Sequence, residues 1–311
     1  MHDVVISEFM DEAAVDRLRK SHTTLYEPAL VERPADLLAA AAQARALIVR
    51  NRTQVSATLL QAARRLECVG RLGVGLDNID VETCKARSVA VYPATGANDL
   101  AVAEYVVAMA FVLLRRAYFA TSDVAAGRWP RQSLIGNEVS GKTMGLVGFG
   151  AIAREVARRA AALGMDVIAY DPFLAADDPA WKLARRHPFD TLLAEADVVS
   201  LHTPLTSSTR HMVDSFALDC MKPGAVLINA ARGGVLDEPA LCVALREGQI
   251  AGAALDVFED EPLTEQRGAM FTGIANLVLT PHIAGVSVES NVRVSHMTTD
   301  TVLEHLKKAS P

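Results

Sequence analysis

Residues 145–153 read GLVGFGAIA, and Asp171 follows 18 positions after Ala153, in the stretch DVIAYDP of residues 166–172. An apolar run closed by Gly148, Gly150 and Ala153 has the spacing of a dinucleotide-binding turn. The first glycine turns the chain, the second lets the backbone approach a pyrophosphate, and a small third residue lets helix and strand pack closely. A plain strand-to-helix turn uses the same spacing, so the flanks decide. TMGLVGFG and DVIAYDP read as strands flanking the helix IAREVARRAAAL, the first of them leading into the turn. Free N–H groups at Ala151 and Ile152, together with the helix dipole, favour a phosphate. Asp171 ends the second strand, where a carboxylate accepts from ribose hydroxyls and repels a 2′-phosphate, which favours NAD over NADP. A turn or cap role before Pro172 is the alternative for this residue.

Short β-rich runs alternate with helical patterns on both sides of this stretch. VVIS (4–7) precedes DEAAVDRLRK, ALIV (46–49) precedes SATLLQAARR, and ECVGRLG (67–73) precedes VETCKAR. After the fingerprint come DVVSLHTP (197–204), GAVLINAA (224–231), AGAALDVF (251–258) and NLVLTP (276–281). Such alternation predicts an α/β protein built on parallel sheets. A long helical pattern, GANDLAVAEYVVAMAFVLLRR, separates the two sets, and the stretch from Val286 onward is helical again. We therefore expect two parallel-sheet domains, Rossmann-like and flavodoxin-like, one inserted into the other: 1–97 with 286–311 for substrate, and 98–285 for NAD.

Composition narrows the function classes. About half of the 311 residues are hydrophobic, enough for sizeable cores, and a net charge of −6 argues against a nucleic-acid footprint. The longest apolar run, Tyr105–Leu114, is too short to span a bilayer. MHDVVISEF lacks the basic start of a secretory signal. Cys68, Cys84, Cys220 and Cys242 have no metal-ligand spacing, so reduced thiols in a cytoplasmic protein and no metal are expected.

Three later strand ends carry unusual polar groups: INAARGG with Arg232, ALDVFEDEP with Asp256 and Glu261, and LTPHIAG with His282. Hydride transfer from a secondary alcohol needs a base for the hydroxyl proton, which suits histidine, and a fixed cation for an anionic substrate, which suits arginine. A packing histidine and a surface-turn arginine are the plainer readings, and Glu259 and Asp260 compete with Glu261.

These segments, with VRNRT, GRLGVGLDNID, SLHTPLT and MKPGAVLINAARGGVLDEPAL, closely resemble the D-isomer-specific 2-hydroxyacid dehydrogenase family, and its phosphoglycerate-dehydrogenase-like branch in particular. The resemblance runs through nearly all of the chain. It implies that Arg232, Glu261 and His282 are the catalytic set, with His282 exchanging the 2-hydroxyl proton, Glu261 stabilising its protonated form and Arg232 holding the substrate carboxylate. It also implies cofactor contacts from His202, Thr203 and Pro204, although a structural role for His202 is equally open. Further contacts are implied from Ala230 to Arg232, from Asp256 facing the nicotinamide carboxamide, and from His282, Ala284 and Gly285.

Val74 and Gly75 resemble the family loop whose N–H groups bind the substrate carboxylate, and Arg50 and Asn51 lie in VRNRT. Arg50, Arg52 and Arg71 are a dense set of cations for an acidic chain, suited to a second anion at C3 such as phosphate or sulfonate, with surface ion pairs as the alternative. Arg50, directly after ALIV, is the best candidate. The start of the chain and the VRNRT–GRLGVG region are also similar to short sulfolactate dehydrogenases. The chain ends where long phosphoglycerate enzymes continue into a regulatory domain, so feedback through such a domain is not expected. Hydroxypyruvate or glyoxylate reduction, and a nucleotide-sensing role like that of C-terminal-binding-protein corepressors, are the alternatives. Family members pair through the segment AAGRWPRQSLIGNEVSGK, which implies a homodimer with Trp129 as an anchor; an intrachain lid is the other possibility for this segment.

Overall fold

The computed structural model describes residues 2–308. The chain divides into two compact units: Met1–Asn98 with Val286–Pro311, and Asp99–Gly285. The second is therefore inserted in sequence between the two parts of the first.

The first unit holds strands β1 (Val4–Ile6), β2 (Thr24–Tyr26), β3 (Ala46–Val49), β4 (Cys68–Arg71) and β5 (Ala90–Pro93). All pair in parallel, in the order β2-β1-β3-β4-β5. Side chains alternate between the faces of a strand, and here both faces are covered. Ala46 and Ile48 enter one apolar cluster with Val4 and Ile6, while Leu47 and Val49 enter another with Val5. That double burial is why ALIV is apolar without interruption. Helices between the strands start at side-chain caps. Asp11 accepts from Ala14 N–H, Ser56 from Leu59 N–H and Asp80 from Thr83 N–H, each satisfying an orphan donor of the first turn. The helix Val288–Lys308 returns to this unit, and Val294, Val302 and Leu306 complete the cluster around Val4 and Ile6.

The second unit opens with the helix Asp99–Arg115 and continues through β6 (Thr143–Val147), β7 (Asp166–Tyr170), β8 (Arg185–Arg186), β9 (Val198–Leu201), β10 (Val226–Asn229), β11 (Gly252–Leu255) and β12 (Leu277–Leu279). Its seven strands are also parallel, in the order β12-β11-β10-β9-β6-β7-β8. Strand order reverses beside β6, between β7 on one side and β9 on the other. In the first unit it reverses at β1 and β3. In open parallel sheets such switch points leave a crevice at the carboxyl ends of the strands, where ligands bind.

Three short strands went unpredicted: β2, β5 and β8. The predicted strands ended earlier than expected; β6, for instance, stops at Val147, because Gly148 turns the chain with φ +90°. Among the described residues no helix is long and apolar enough to cross a membrane. The four cysteines are free thiols.

The fold makes a testable statement about the last helix. Leu306 is fully buried in the first unit's core. Leu306→Ala should lower the free energy of unfolding by about 2–5 kcal/mol, measured as a shift in the urea midpoint at constant slope. A loss below about 0.5 kcal/mol, the range of surface substitutions, would contradict its place in the core.

Candidate active site

The register of three neighbouring strands assembles the site in the second unit. Asn229, Leu255 and Leu279 stand side by side across β10, β11 and β12. Arg232, Asp256 and His282 follow each of them within three residues, so all three emerge at the same carboxyl edge of the sheet.

Each is then held by its own local structure. Asn229, with no exposed surface, accepts from Ala231 N–H (3.1 Å) and donates from Nδ2 to the Arg232 carbonyl (2.9 Å), which shapes the turn presenting Arg232. Gly233 follows, and a Cβ there would stand 1.9 Å from the Phe258 carbonyl carbon. Only glycine allows the Arg232 loop this close to the acidic turn after β11. Buried Glu238 fastens the same turn by accepting from Glu259 N–H at 2.7 Å.

Asp256 is 1% exposed, and both its oxygens are engaged. Oδ1 accepts from Thr280 Oγ1 (2.6 Å) and Ile283 N–H (2.8 Å), and Oδ2 from Ala284 N–H (2.8 Å). Its backbone carbonyl accepts from His282 N–H at 2.8 Å. Asp256 thus builds the turn in which His282 sits at φ +52°, a left-handed conformation costly for a residue with a Cβ. The carboxylate, whatever further contact it makes, holds the histidine turn. Because the Thr280 hydroxyl hydrogen goes to Asp256, the Tyr105 hydroxyl donates to Thr280 Oγ1 at 2.7 Å. Burial pushes the Tyr105 phenol up to about 12, so it keeps the proton it donates.

Glu261 Oε2 lies 2.6 Å from His282 Nδ1, with both side chains about one-third exposed. A carboxylate only accepts, so Nδ1 carries the hydrogen and Nε2 is left to accept or release a proton. The other Glu261 oxygen accepts from Phe258 N–H at 2.9 Å. Burial pushes the Glu261 carboxyl up, but the hydrogen bonds from His282 and Phe258, helped by the charges of His282 and Arg232, outweigh it and leave its pKa below the usual value. Glu261 is therefore ionised at neutral pH. The acidic turn sorts its three carboxylates by partner: Glu259 pairs with His211, Asp260 with Arg267 and Glu261 with His282.

The fingerprint lies at the β6 switch point of the same sheet. Gly148 adopts φ +90°, and a Cβ there would come within 2.7 Å of the His202 carbonyl oxygen. Around Gly150 a Cβ would meet nothing within 4 Å, which is open space of the kind a phosphate needs. Gly150 also caps the helix Ala151–Ala162 without a side-chain acceptor, so the first-turn N–H groups at Ala151, Ile152 and Ala153 are not taken by a cap side chain. Ala153 itself is fully buried. Asp171 Oδ2 accepts from Phe149 N–H at 2.9 Å, and Oδ1 from Phe173 N–H (2.9 Å) and Leu174 N–H (3.2 Å). The carboxylate is thereby fixed beside the glycine loop, and the turn role proves to be part of its placement. The residues present fit a dinucleotide. His202 bonds through Nε2 to Ser200 Oγ at 2.9 Å, and burial lowers its pKa to about 4, so the ring stays neutral. Thr203, Ala230 and Ala231 are half-buried at the same carboxyl edge, Pro204 is exposed, and Ala284 and Gly285 continue the His282 turn.

Arg50, Asn51, Val74 and Gly75 belong to the first unit, in the loops after β3 and β4. Arg50 is half-buried, its Nη2 donating to Asn291 Oδ1 at 2.5 Å. Arg52 is exposed and pairs with Glu32 at 3.3 Å, the surface role held open as its alternative. Arg71 donates from Nη1 to the Leu72 carbonyl at 2.9 Å. Asn229, Gly233, Glu238 and Thr280 were not singled out from sequence; a lone polar residue closing the run VLIN was the one available signal, and it pointed to Asn229.

Residues 107–284 match the family model for the D-isomer specific 2-hydroxyacid dehydrogenase NAD binding domain. The chain is 55% identical over 303 residues to an (S)-sulfolactate dehydrogenase of Chromohalobacter salexigens, covering 97% of each chain. It is 36% identical over 304 residues to a D-3-phosphoglycerate dehydrogenase of Archaeoglobus fulgidus, covering 98% of this chain and 57% of that one. Among solved structures, the D-lactate dehydrogenase of Aquifex aeolicus, in complex with NAD and lactic acid, superposes with a TM-score of 0.85 at 28% identity, covering 98% of this chain and 96% of that one. With an imidazole–carboxylate pair beside an arginine at one sheet edge and a dinucleotide turn on the same sheet, these matches have one meaning: the chain belongs to the D-isomer specific 2-hydroxyacid dehydrogenase family and is an NAD-dependent oxidoreductase.

Proposed function

We propose that the protein interconverts a 2-hydroxyacid bearing a second anion at C3 with its 2-ketoacid, and that this substrate is of the sulfolactate type. The observation that carries the reaction is the 2.6 Å bond between Glu261 and His282, which leaves His282 Nε2 as the proton-exchanging atom. The substrate class is supported by the 55% identity to a sulfolactate dehydrogenase over nearly the full length of both chains, and by the half-buried cation Arg50 after β3.

In the oxidative direction His282 Nε2 takes the 2-hydroxyl proton as the C2 hydride departs. Glu261, ionised and bound at Nδ1, stabilises the imidazolium that forms. Arg232 pairs with the substrate carboxylate and polarises the C2 oxygen, so its charge acts where negative charge develops in reduction. The turn from Gly148 to Ala153 and the Asp171 carboxylate would hold NAD, which would supply the hydride acceptor. Arg50, with Asn51 beside it, receives the anion at C3, and the N–H groups near Val74 and Gly75 bind the carboxylate.

We place the protein in the cytoplasm, in keeping with its four free thiols. We also propose a homodimer formed through the second unit. Tyr118, Trp129 and Ile135 are each more than 60% exposed, and Trp129 and Ile135 line a cavity of about 480 Å³ with Arg115 and Arg131. Large apolar side chains left open together mark an interface more often than a free surface.

Three outcomes follow. His282→Ala should reduce kcat for ketoacid reduction by about 10²–10⁴; an unchanged kcat would remove the acid/base assignment. Asp171→Ser should lower the kcat/KM ratio of NADH over NADPH by about 10-fold or more, the scale of a charge-assisted hydrogen bond, and a wild type preferring NADPH would contradict the role given to Asp171. Light scattering at micromolar concentration should return twice the 33.3 kDa chain mass, with Trp129→Asp shifting the mass toward the single chain; a monomeric wild type would exclude the dimer.

A further inference from the structure

Arg50 can read an anion only if its loop is fixed, and that loop has almost no regular structure to fix it. β3 ends at Val49, and the next helix begins at Ala57. What replaces regular structure is a carboxylate from a distant part of the chain. β1 and β3 are parallel neighbours, so the residues leaving β1 arrive beside those leaving β3, at the switch point of the first sheet. Glu8 is the second residue beyond β1. Its Oε1 accepts from Arg50 N–H (2.8 Å) and Thr53 N–H (3.0 Å), and its Oε2 from Arg52 N–H (3.1 Å). It is 5% exposed.

The opposite side of the loop is held as well. Asn78 Nδ2 donates to the Arg50 carbonyl (3.0 Å) and the Thr53 carbonyl (2.6 Å), and the Ser7 and Thr53 hydroxyls lie 2.9 Å apart. Arg50 leaves this clamp with its guanidinium carbon 5.9 Å from the centre of the Phe9 ring and Nη2 on Asn291. Its Nε is buried and has no hydrogen-bond partner among the described residues. A half-buried cation whose direct partners are neutral, with a donor still unused, is suited to receive an anion.

We propose that Glu8 is a positioning residue for substrate recognition: by tying the N–H groups of Arg50, Arg52 and Thr53, it holds Arg50 where it discriminates for an anionic group at C3. This rests on the reading of Arg50 as the receptor for that group. Glu8 does not itself touch substrate, because its two oxygens are engaged by the loop. Its charge also gives the proposal a sign. If Glu8 acted only through its charge, neutralising it would strengthen anion binding; if it positions Arg50, neutralising it weakens anion binding. In Glu8→Gln the amide nitrogen faces a backbone donor in place of one acceptor, so the loop loosens although a negative charge has gone.

The experiment compares the full-length wild type with Glu8→Gln and with Asn78→Ala, which releases the same loop from its other side without changing charge. Backbone amide exchange is followed over residues 50–53, and steady-state kinetics are measured with sulfopyruvate and with glyoxylate, both with NADH. Both variants should exchange these amides faster. Both should raise KM for sulfopyruvate by about 10-fold, the scale of a hydrogen bond to a charged group, while kcat and the KM for glyoxylate change by less than about threefold. Unchanged exchange, an equal rise in both KM values, or a fall in the sulfopyruvate KM would overturn the proposal. A wild type with equal kcat/KM for the two ketoacids would remove the second-anion reading itself, a failure recognised in the unmutated enzyme and not in the variants.

Discussion

The site depends on the parallel alignment of β10, β11 and β12, which delivers three unrelated sequence segments to one edge of one sheet. Parallel strands share the direction of their carboxyl ends, so a guanidinium, a carboxylate turn and an imidazole converge without any of them being close in sequence. Convergence alone would leave them several ångströms apart. Gly233 closes part of that distance, because its missing side chain lets the Arg232 loop lie directly on the Phe258 backbone. The short bond between Glu261 and His282 joins the turns after β11 and β12.

Much of the polar chemistry at this edge is devoted to holding the reacting groups. Asp256, buried and doubly engaged, sustains a left-handed conformation at His282 that an unsupported chain would seldom keep. Glu238 and Asn229 do the same for the acidic turn and the arginine loop. A proton-exchanging ring needs fixed geometry before its pKa matters, and these buried partners provide it. In the first unit, the carboxylate of Glu8 plays a comparable part for a loop at another switch point.

The fold was largely legible because parallel strands buried on both faces are apolar without interruption, and ALIV and VLIN read that way directly. β2 and β8 were not: Thr24–Tyr26 is only half-buried, and Arg185–Arg186 is an exposed two-residue edge, so neither carries a hydrophobic signal. The glycine turn and Asp171 were readable as a unit from their spacing. Arg232 and His282 were readable as chemistry, but choosing Glu261 among three adjacent acids needed the family resemblance; the structure supplies the physical reason by giving Glu259 and Asp260 other partners. Glu8 was invisible, because its partners are backbone N–H groups more than 40 positions away, which leave no trace in residue type. Asp256 was noticed through the resemblance, but its part in holding the His282 turn was not, because its partners there are a hydroxyl and backbone N–H groups.

The central claim is that Arg232 and the Glu261-bound His282 act together on one substrate. It is tested most directly by a crystal structure of the protein with NADH and the unreactive ketoacid analogue oxamate. The account predicts His282 Nε2 within about 3 Å of the analogue's C2 oxygen, the range needed for proton transfer, with its carboxylate paired to Arg232. An analogue bound with its C2 oxygen turned away from His282, or its carboxylate held by other groups while Arg232 faces solvent, would contradict it.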